Sequence, residues 1–229
     1  MSIRAVAVVS RRASVLRVCW DHDPLVRAQL VSVVADRACA AEEAMRTRDV
    51  PVTVIAERDN RAFSDALLDH CRAVGATHLY LLFGRLLAGP LLDAYRDRIV
   101  NLHPALLPAF KGLHGFEDTL ASGTRYLGVT LHLIDEEMDE GSIIVQSVTP
   151  IDPAIDEAAL RERQFVQMCR AFLQVAHWLD EDRIVVGDGG VEVAGARFDE
   201  LEFVPALDAP EARAFALPVP AHESRTPTG

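Results

Sequence analysis

Asn101 and His103 stand two residues apart at the end of an apolar run, so in extended geometry their side chains leave the chain on the same side. A carboxamide beside an imidazole suits acyl transfer, because the amide N–H stabilises a developing oxyanion and the imidazole moves a proton. His114, His132 and Asp139 complete the cluster of candidate groups. Asp139 falls in the acidic turn Met138-Asp139-Glu140-Gly141, where its carboxylate could orient an imidazole and favour the charged form. On spacing alone, structural histidines that follow strands account for the cluster as well.

The elements that must position these groups are written in the alternation around them. Short β-branched runs at Ala5 to Val9, Leu30 to Ala35 and Val52 to Ile55 alternate with stretches of helical spacing at Val15 to Asp21, Ala40 to Arg48 and Ala62 to Val74, the last followed by Gly75 as a C-cap. That alternation predicts an α/β fold, a doubly wound and mostly parallel sheet with crossover helices. Two further runs, His78 to Phe83 and Arg98 to Leu102, lead into Gly84-Arg85 and His103-Pro104. Both loops fall at strand C-termini, the edge where open sheets of this kind bind ligands.

Beyond Leu102 the segment NLHPALLPAFKGLHGFED carries too many breakers for a long regular element and reads as a functional loop. Strands are predicted at Tyr126 to Asp135 and Ser142 to Val148, and an amphipathic helix from Ile155 to Leu179 with Asp152 as N-cap and Pro153 at its first position. A hairpin turns at Asp188-Gly189-Gly190, and the Ala/Pro-rich tail from Pro205 is expected to wrap the surface or stay disordered. The chain is thus divided into a catalytic domain over residues 1–186 and a hairpin and tail over residues 187–229, together a single globular unit.

Composition narrows the functions available. The 229 residues are 50% hydrophobic and 25% charged, as in ordinary globular proteins, and the net charge of -11 argues against a grip on nucleic acid. No stretch approaches the roughly 18 apolar residues of a membrane span. The start MSIRAVAVVSRRAS lacks a secretory core and cleavage site, so a cytoplasmic protein without a membrane partner is expected, as monomer or homodimer. Cys19, Cys39, Cys71 and Cys169 have no CxxC spacing, so reduced thiols and no metal site are expected.

Four ordered blocks carry a resemblance: Asn101-Leu-His103-Pro104-Ala-Leu106-Leu107-Pro108, Gly112-Leu-His114, Gly128-Val-Thr130-Leu-His132, and Asp135 with Asp139-Glu-Gly141-Ser-Ile143. Over residues 1–186 the chain resembles the folate-dependent formyltransferase family, and within it the phosphoribosylglycinamide branch. The resemblance implies a Rossmann-like formyltransferase fold and 10-formyltetrahydrofolate as co-substrate, with no metal. It implies that Asn101 donates to the formyl oxygen, that His103 stabilises the tetrahedral intermediate and assists proton transfer, and that Asp139 holds that histidine and a water. It further implies a folate pocket between Phe83, Arg85 and Leu87 on one side and Ile134, Asp135, Met138 and Asp139 on the other. A solvated surface arginine remains the other reading of Arg85.

Two departures from the family bear on the acceptor. Where the purine enzymes have a glycine-rich phosphate loop after the first strand, this chain reads Ser10-Arg11-Arg12-Ala13-Ser14, and without glycine the backbone is expected to resist positive φ. Arg11 and Arg12 are candidates for binding an anionic acceptor, phosphate or carboxylate, through their side chains. On the long helix, Gln167-Met168-Cys169 replaces a Gln-Glu-His whose glutamate reaches the acceptor. Together these favour formyl transfer to a small amine or hydroxylamine other than glycinamide ribonucleotide, with His114 and Lys111, the chain's single lysine, as further acceptor candidates. A divergent phosphoribosylglycinamide formyltransferase, a formyltetrahydrofolate hydrolase and a folate-binding relic are the alternatives.

Overall fold

A computed structural model describes residues 2–134, 140–187 and 189–217. Runs of β-branched residues become strands here because helices cover both of their faces. The first, β1 (Ala5–Val9), is buried along its whole length. Ala5, Ala7 and Val9 join one apolar cluster and Val6 and Val8 another, so successive residues feed opposite sides of the sheet. Helices α1 (Ser14–His22) and α2 (Pro24–Gln29) then lead to β2 (Leu30–Ala35), and α3 (Ala40–Arg46) leads to β3 (Val52–Val54). The crossover back is α4 (Asn60–Val74), started by the Asp59 side chain, which accepts from Ala62 N at 2.9 Å, and ended by Gly75 at φ 65°. Then follow β4 (His78–Leu82), α5 (Pro90–Ala94), β5 (Ile99–His103), α6 (Gly115–Ala121), β6 (Tyr126–Leu133) and β7 (Ile143–Pro150).

The chain continues through α7 (Glu157–Asp180), the hairpin of β8 (Ile184–Gly187) and β9 (Gly190–Val193), β10 (Phe203–Val204) and α8 (Pro210–Ala214). Among the described residues the main sheet has eight strands in the order β10-β7-β6-β5-β4-β1-β2-β3. Strands β3, β2, β1, β4 and β5 are parallel; beyond β5 each strand is antiparallel to its neighbour, so β6 and β10 run against the parallel set and β7 runs with it. The doubly wound, mostly parallel sheet expected from the alternation is therefore present. Sequential connections run outward from β1 in one direction and from β4 in the other, which makes the β1/β4 boundary the switch point at whose C-terminal edge ligands bind. On one face lie α1, α3 and α7, through Leu16, Met45, Phe172 and Trp178; on the other lie α4 and α5, through Phe63, Leu67 and Leu91.

Several sequence expectations are corrected. Helix α7 begins after Asp156, whose side chain accepts from Ala159 N at 2.8 Å, and Asp152 instead closes a separate turn by accepting from Ala154 N at 2.8 Å. The breaker-rich loop ends in a short helix, α6, that starts at Gly115. The part of the tail over residues 205–217 packs on the body, with Ala206, Leu207, Ala212 and Phe215 buried, and just before it Phe203 pairs with Ser147. No helix among the described residues is long and apolar enough to cross a membrane.

His78 opens β4, where burial, with a smaller contribution from the Arg98 guanidinium, pushes its pKa from 6.5 down to about 4. The unfolded chain binds the proton more tightly, so this site's stabilisation is complete above pH 6.5 and is lost as the pH falls toward about 4. His78→Gln is expected to flatten that part of the acid limb, measured as a smaller drop in denaturation midpoint across the window than in the wild type.

Candidate active site

Strand β5 is the last parallel strand, and its far neighbour β6 runs the other way, opposing Asn101 to His132 and His103 to Thr130. These four residues share one face. The Asn101 side-chain amide donates to His132 Nε2 at 3.0 Å, while His132 Nδ1 donates to the Leu133 carbonyl at 3.0 Å. The two bonds together select the His132 tautomer with its proton on Nδ1, and they orient the Asn101 carboxamide with its nitrogen toward the histidine. One N–H of that nitrogen is used, and the second remains a donor for a ligand.

His103 is 3% exposed, and its Nε2 donates to the Phe110 carbonyl at 2.8 Å. That carbonyl is presented by a backbone reversal in which Phe110 takes φ 58° and Gly112 φ 93°. In the neutral ring Nδ1 is then the acceptor, the form a proton relay requires. The loop between the two ends of this bond is fixed from β6 and β7. The buried Thr130 hydroxyl donates to Ala105 O at 2.8 Å and accepts from Leu107 N and from Gln146 Nε2, each at 3.1 Å. Gln146 also donates to Leu107 O at 2.7 Å. Glycine is required at 128, since a Cβ there would stand 2.6 Å from the Leu106 backbone nitrogen.

On the folate side of the expectation, Phe83, Leu87 and Ile134 come together around one apolar cluster, with Leu87 buried in it. Asp135, Met138 and Asp139 lie outside the described residues, as does the contact expected between Asp139 and His103. Arg85 is spent on the scaffold: its guanidinium donates to Glu57 O at 2.8 Å, Arg58 O at 3.0 Å and Asn60 Oδ1 at 3.2 Å, and stacks 4.5 Å above the Phe63 ring. It ties the start of α4 to the β4 loop.

On the acceptor side, Arg11 and Arg12 are exposed in the β1–α1 loop. The expected resistance to positive φ is overturned, because Arg11 takes φ 56° and Ala13 φ 47°. A donor from outside the loop holds this left-handed backbone, with Ala41 N bonded to Arg11 O at 3.0 Å, against an intrinsic cost of roughly 1–2 kcal/mol per residue. The loop delivers the chain into α1 with Ala13 at the N-cap and no side-chain cap, so the first-turn amides have no side chain answering them. Lys111 forms an ion pair with Glu140 at 2.5 Å, and His114 is exposed at the N-cap of α6. On α7, Gln167 is buried and holds Ser147 Oγ (3.2 Å) and Val148 O (3.1 Å), and Met168 packs on the core. Sequence reasoning passed over Gly115, Gln146 and Gln164. The first is adjacent to His114 in a quoted block, and the last was hidden in an apolar helix stripe.

Gly115 packs beneath the His103 ring: a Cβ there would lie 3.2 Å from His103 Nε2, 3.3 Å from Phe110 O and 3.0 Å from the Ala105 Cβ. Gly115→Ala is expected to strain the His103–Phe110 bond, lowering turnover by about tenfold or more and stability by about 1–3 kcal/mol, as measured by initial rates and urea denaturation.

Comparison with known proteins places this geometry. The formyl transferase family model matches residues 4–175. Phosphoribosylglycinamide formyltransferase from Mycobacterium tuberculosis is 37% identical over 165 residues, which is 70% of this chain and 77% of that protein. The crystal structure of glycinamide ribonucleotide transformylase 1 from Symbiobacterium toebii superposes with a TM-score of 0.77 at 30% identity, covering 83% of this chain and 93% of that one. A formyltetrahydrofolate deformylase from Pseudomonas syringae shares the fold, with a TM-score of 0.72 at 21% identity over 84% of this chain and 66% of its own. The strand-end asparagine and histidine, the loop pinned beneath them and these likenesses converge: the chain belongs to the formyl transferase family and is an enzyme that transfers the formyl group of 10-formyltetrahydrofolate.

Proposed function

We propose that the acceptor is the primary amine of glycinamide ribonucleotide, and that Asn101 and His103 carry the transfer. The observation that carries the acceptor assignment is the β1–α1 loop, whose left-handed residues Arg11 and Ala13 open onto the uncapped start of α1 beside two exposed guanidinium groups. Backbone amides at a helix start, with Arg11 and Arg12 beside them, suit a phosphate dianion. The relatives named above, described as acting on phosphoribosylglycinamide, support the same reading.

In this reading the donor lies between the Phe83–Leu87 segment and the segment from Ile134 to Asp139. The acceptor nitrogen attacks the formyl carbon, and the carbonyl π pair moves to oxygen, where the free N–H of Asn101 stabilises the charge. The new ammonium must lose a proton and the departing folate nitrogen must gain one. In this reading His103, whose Nε2 is bonded to Phe110 O, passes it from one to the other. Residues 1–186 carry these steps, and the segment from 187 braces the outer strands.

A second reading has one specific observation in its favour. The segment Gln167-Met168-Cys169 carries no carboxylate, Gln167 is committed to Ser147 and Val148, and Cys169 is buried, so α7 offers no acid there to an acceptor's hydroxyls. A different small amine or hydroxylamine would tolerate that loss.

Tetrahydrofolate release from 10-formyltetrahydrofolate, followed against glycinamide ribonucleotide, amino-sugar nucleotides and N-hydroxyornithine, separates the two. Turnover with glycinamide ribonucleotide is the expected result, and turnover only with another amine establishes the second reading. His103→Ala is expected to reduce kcat by about 100-fold or more. Replacing Arg11 and Arg12 together with Ala is expected to raise the acceptor KM by roughly 10- to 100-fold, with kcat little changed, as loss of charge-assisted bonds predicts.

A further inference from the structure

We infer that Gln164 is a positioning residue for formyl transfer, acting from α7 through the loop that begins at His103. Its side chain is 3% exposed, and its single amide nitrogen donates to Pro104 O at 2.9 Å and to Gly128 O at 3.0 Å. Both N–H hydrogens are thereby used. One nitrogen clamps the residue that follows His103 to the strand that faces it.

The position of the clamp gives it leverage. Pro104 has no N–H, so its carbonyl is the one polar backbone group at the point where the chain leaves β5, and it needs a donor once it leaves the ladder. Gly128 is also where Leu106 crosses β6 at a distance that excludes a Cβ. Thr130 and Gln146 hold the loop's later residues, Ala105 and Leu107, through bonds from β6 and β7. The Gln164 bond meets the loop earlier, directly against the catalytic histidine, and it comes from a different layer of the fold. A shift of α7 relative to the sheet therefore reaches Pro104, the residue next to His103, through this carboxamide.

Gln174 provides an internal comparison. It is a fully buried glutamine on the same helix, with Nε2 donating to Asp208 Oδ1 at 2.7 Å and Oε1 accepting from Asp208 N at 2.7 Å and Ala209 N at 2.9 Å. It secures the tail. Its loss removes at least as many bonds as the loss of Gln164, but none of them reaches the His103 loop.

The inference rests on the role of His103 in the transfer step, so His103→Ala is measured alongside. Gln164→Met keeps the length and removes both donors. Gln164→Glu keeps the shape, presents a carboxylate to two carbonyl oxygens, and serves if the methionine variant does not fold. For either variant, kcat is expected to fall by about tenfold or more, with the dissociation constant for 10-formyltetrahydrofolate within about twofold of wild type. For Gln164→Glu the ratio to wild type is expected to rise as the pH is lowered and the acid regains an O–H donor. Gln174→Met is expected to lower the melting temperature yet leave kcat within about twofold. A Gln164 variant that folds and turns over at the wild-type rate, or an equal fall in kcat for Gln174→Met, overturns the inference. Wild-type turnover by His103→Ala overturns the reading of the site, and this inference with it.

Discussion

The antiparallel pairing of β6 onto β5 is the constraint on which the rest of the site depends. It sets His132 opposite Asn101 and Thr130 opposite His103, so one strand supplies the reacting groups and its neighbour supplies their supports. Side chains alternate along a strand, and a slip of one residue would turn the supports to the other face. The register is protected by what it buries: Leu127, Val129, Leu131 and Leu133 in β6 are all core residues, and a slip would exchange them for Gly128, Thr130 and His132. The reversal of direction at this point, where the parallel part of the sheet gives way to the antiparallel part, also places the start of the 104–114 loop against β6, where Gly128 makes room for it.

Helix α7 performs a second task beyond covering apolar surface. Phe172, Val175 and Trp178 bury its stripe, yet Gln164, Gln167 and Gln174 are equally buried and each is bonded to backbone groups of other segments. A similar exchange fixes its far end, where Gln29 donates to Ala176 O at 2.9 Å and accepts from the Tyr80 hydroxyl at 2.8 Å. A buried carboxamide left without partners would cost about 1–3 kcal/mol. These bonds therefore select one position of the helix along the sheet, where apolar packing alone would accept several. The tail extends the same principle: Asp208 accepts from Trp178 Nε1 at 3.0 Å and pairs with Arg183 at 2.7 Å, and those contacts hold its carboxyl below the usual carboxylate range against the opposing effect of burial.

What was legible in the sequence follows from which constraints are local. The run Ala5–Val9 reads as a strand because burial on both faces demands β-branched and small residues throughout, and Asn101 and His103 read as a pair because strand geometry alone brings them to one side. Gly75 reads as a C-cap because its φ of 65° is a local need. Short helices were missed at Pro24, Pro90 and Pro210, although proline at a helix start was a usable signal. The rest depends on partners far along the chain. Arg85 spends its guanidinium on residues 57–60, and Gln164 reaches Pro104 across sixty positions, which no spacing rule anticipates. The β1–α1 loop makes the point from the other side, because residue type argued against positive φ at Arg11 and a bond from Ala41 imposed it.

The central claim is that the β5–β6 pairing orients the Asn101 donor through His132 before any substrate arrives. The most direct test is the protonation pattern of the histidine ring nitrogens in the ligand-free protein, read from long-range proton–nitrogen NMR correlations with assignment by His103→Ala and His132→Ala. The account predicts His132 protonated on Nδ1 with a hydrogen-bonded, unprotonated Nε2, and His103 protonated on Nε2 against the Phe110 carbonyl. A neutral His132 carrying its proton on Nε2 would turn the Asn101 carboxamide around, remove the donor from the formyl oxygen and contradict the account.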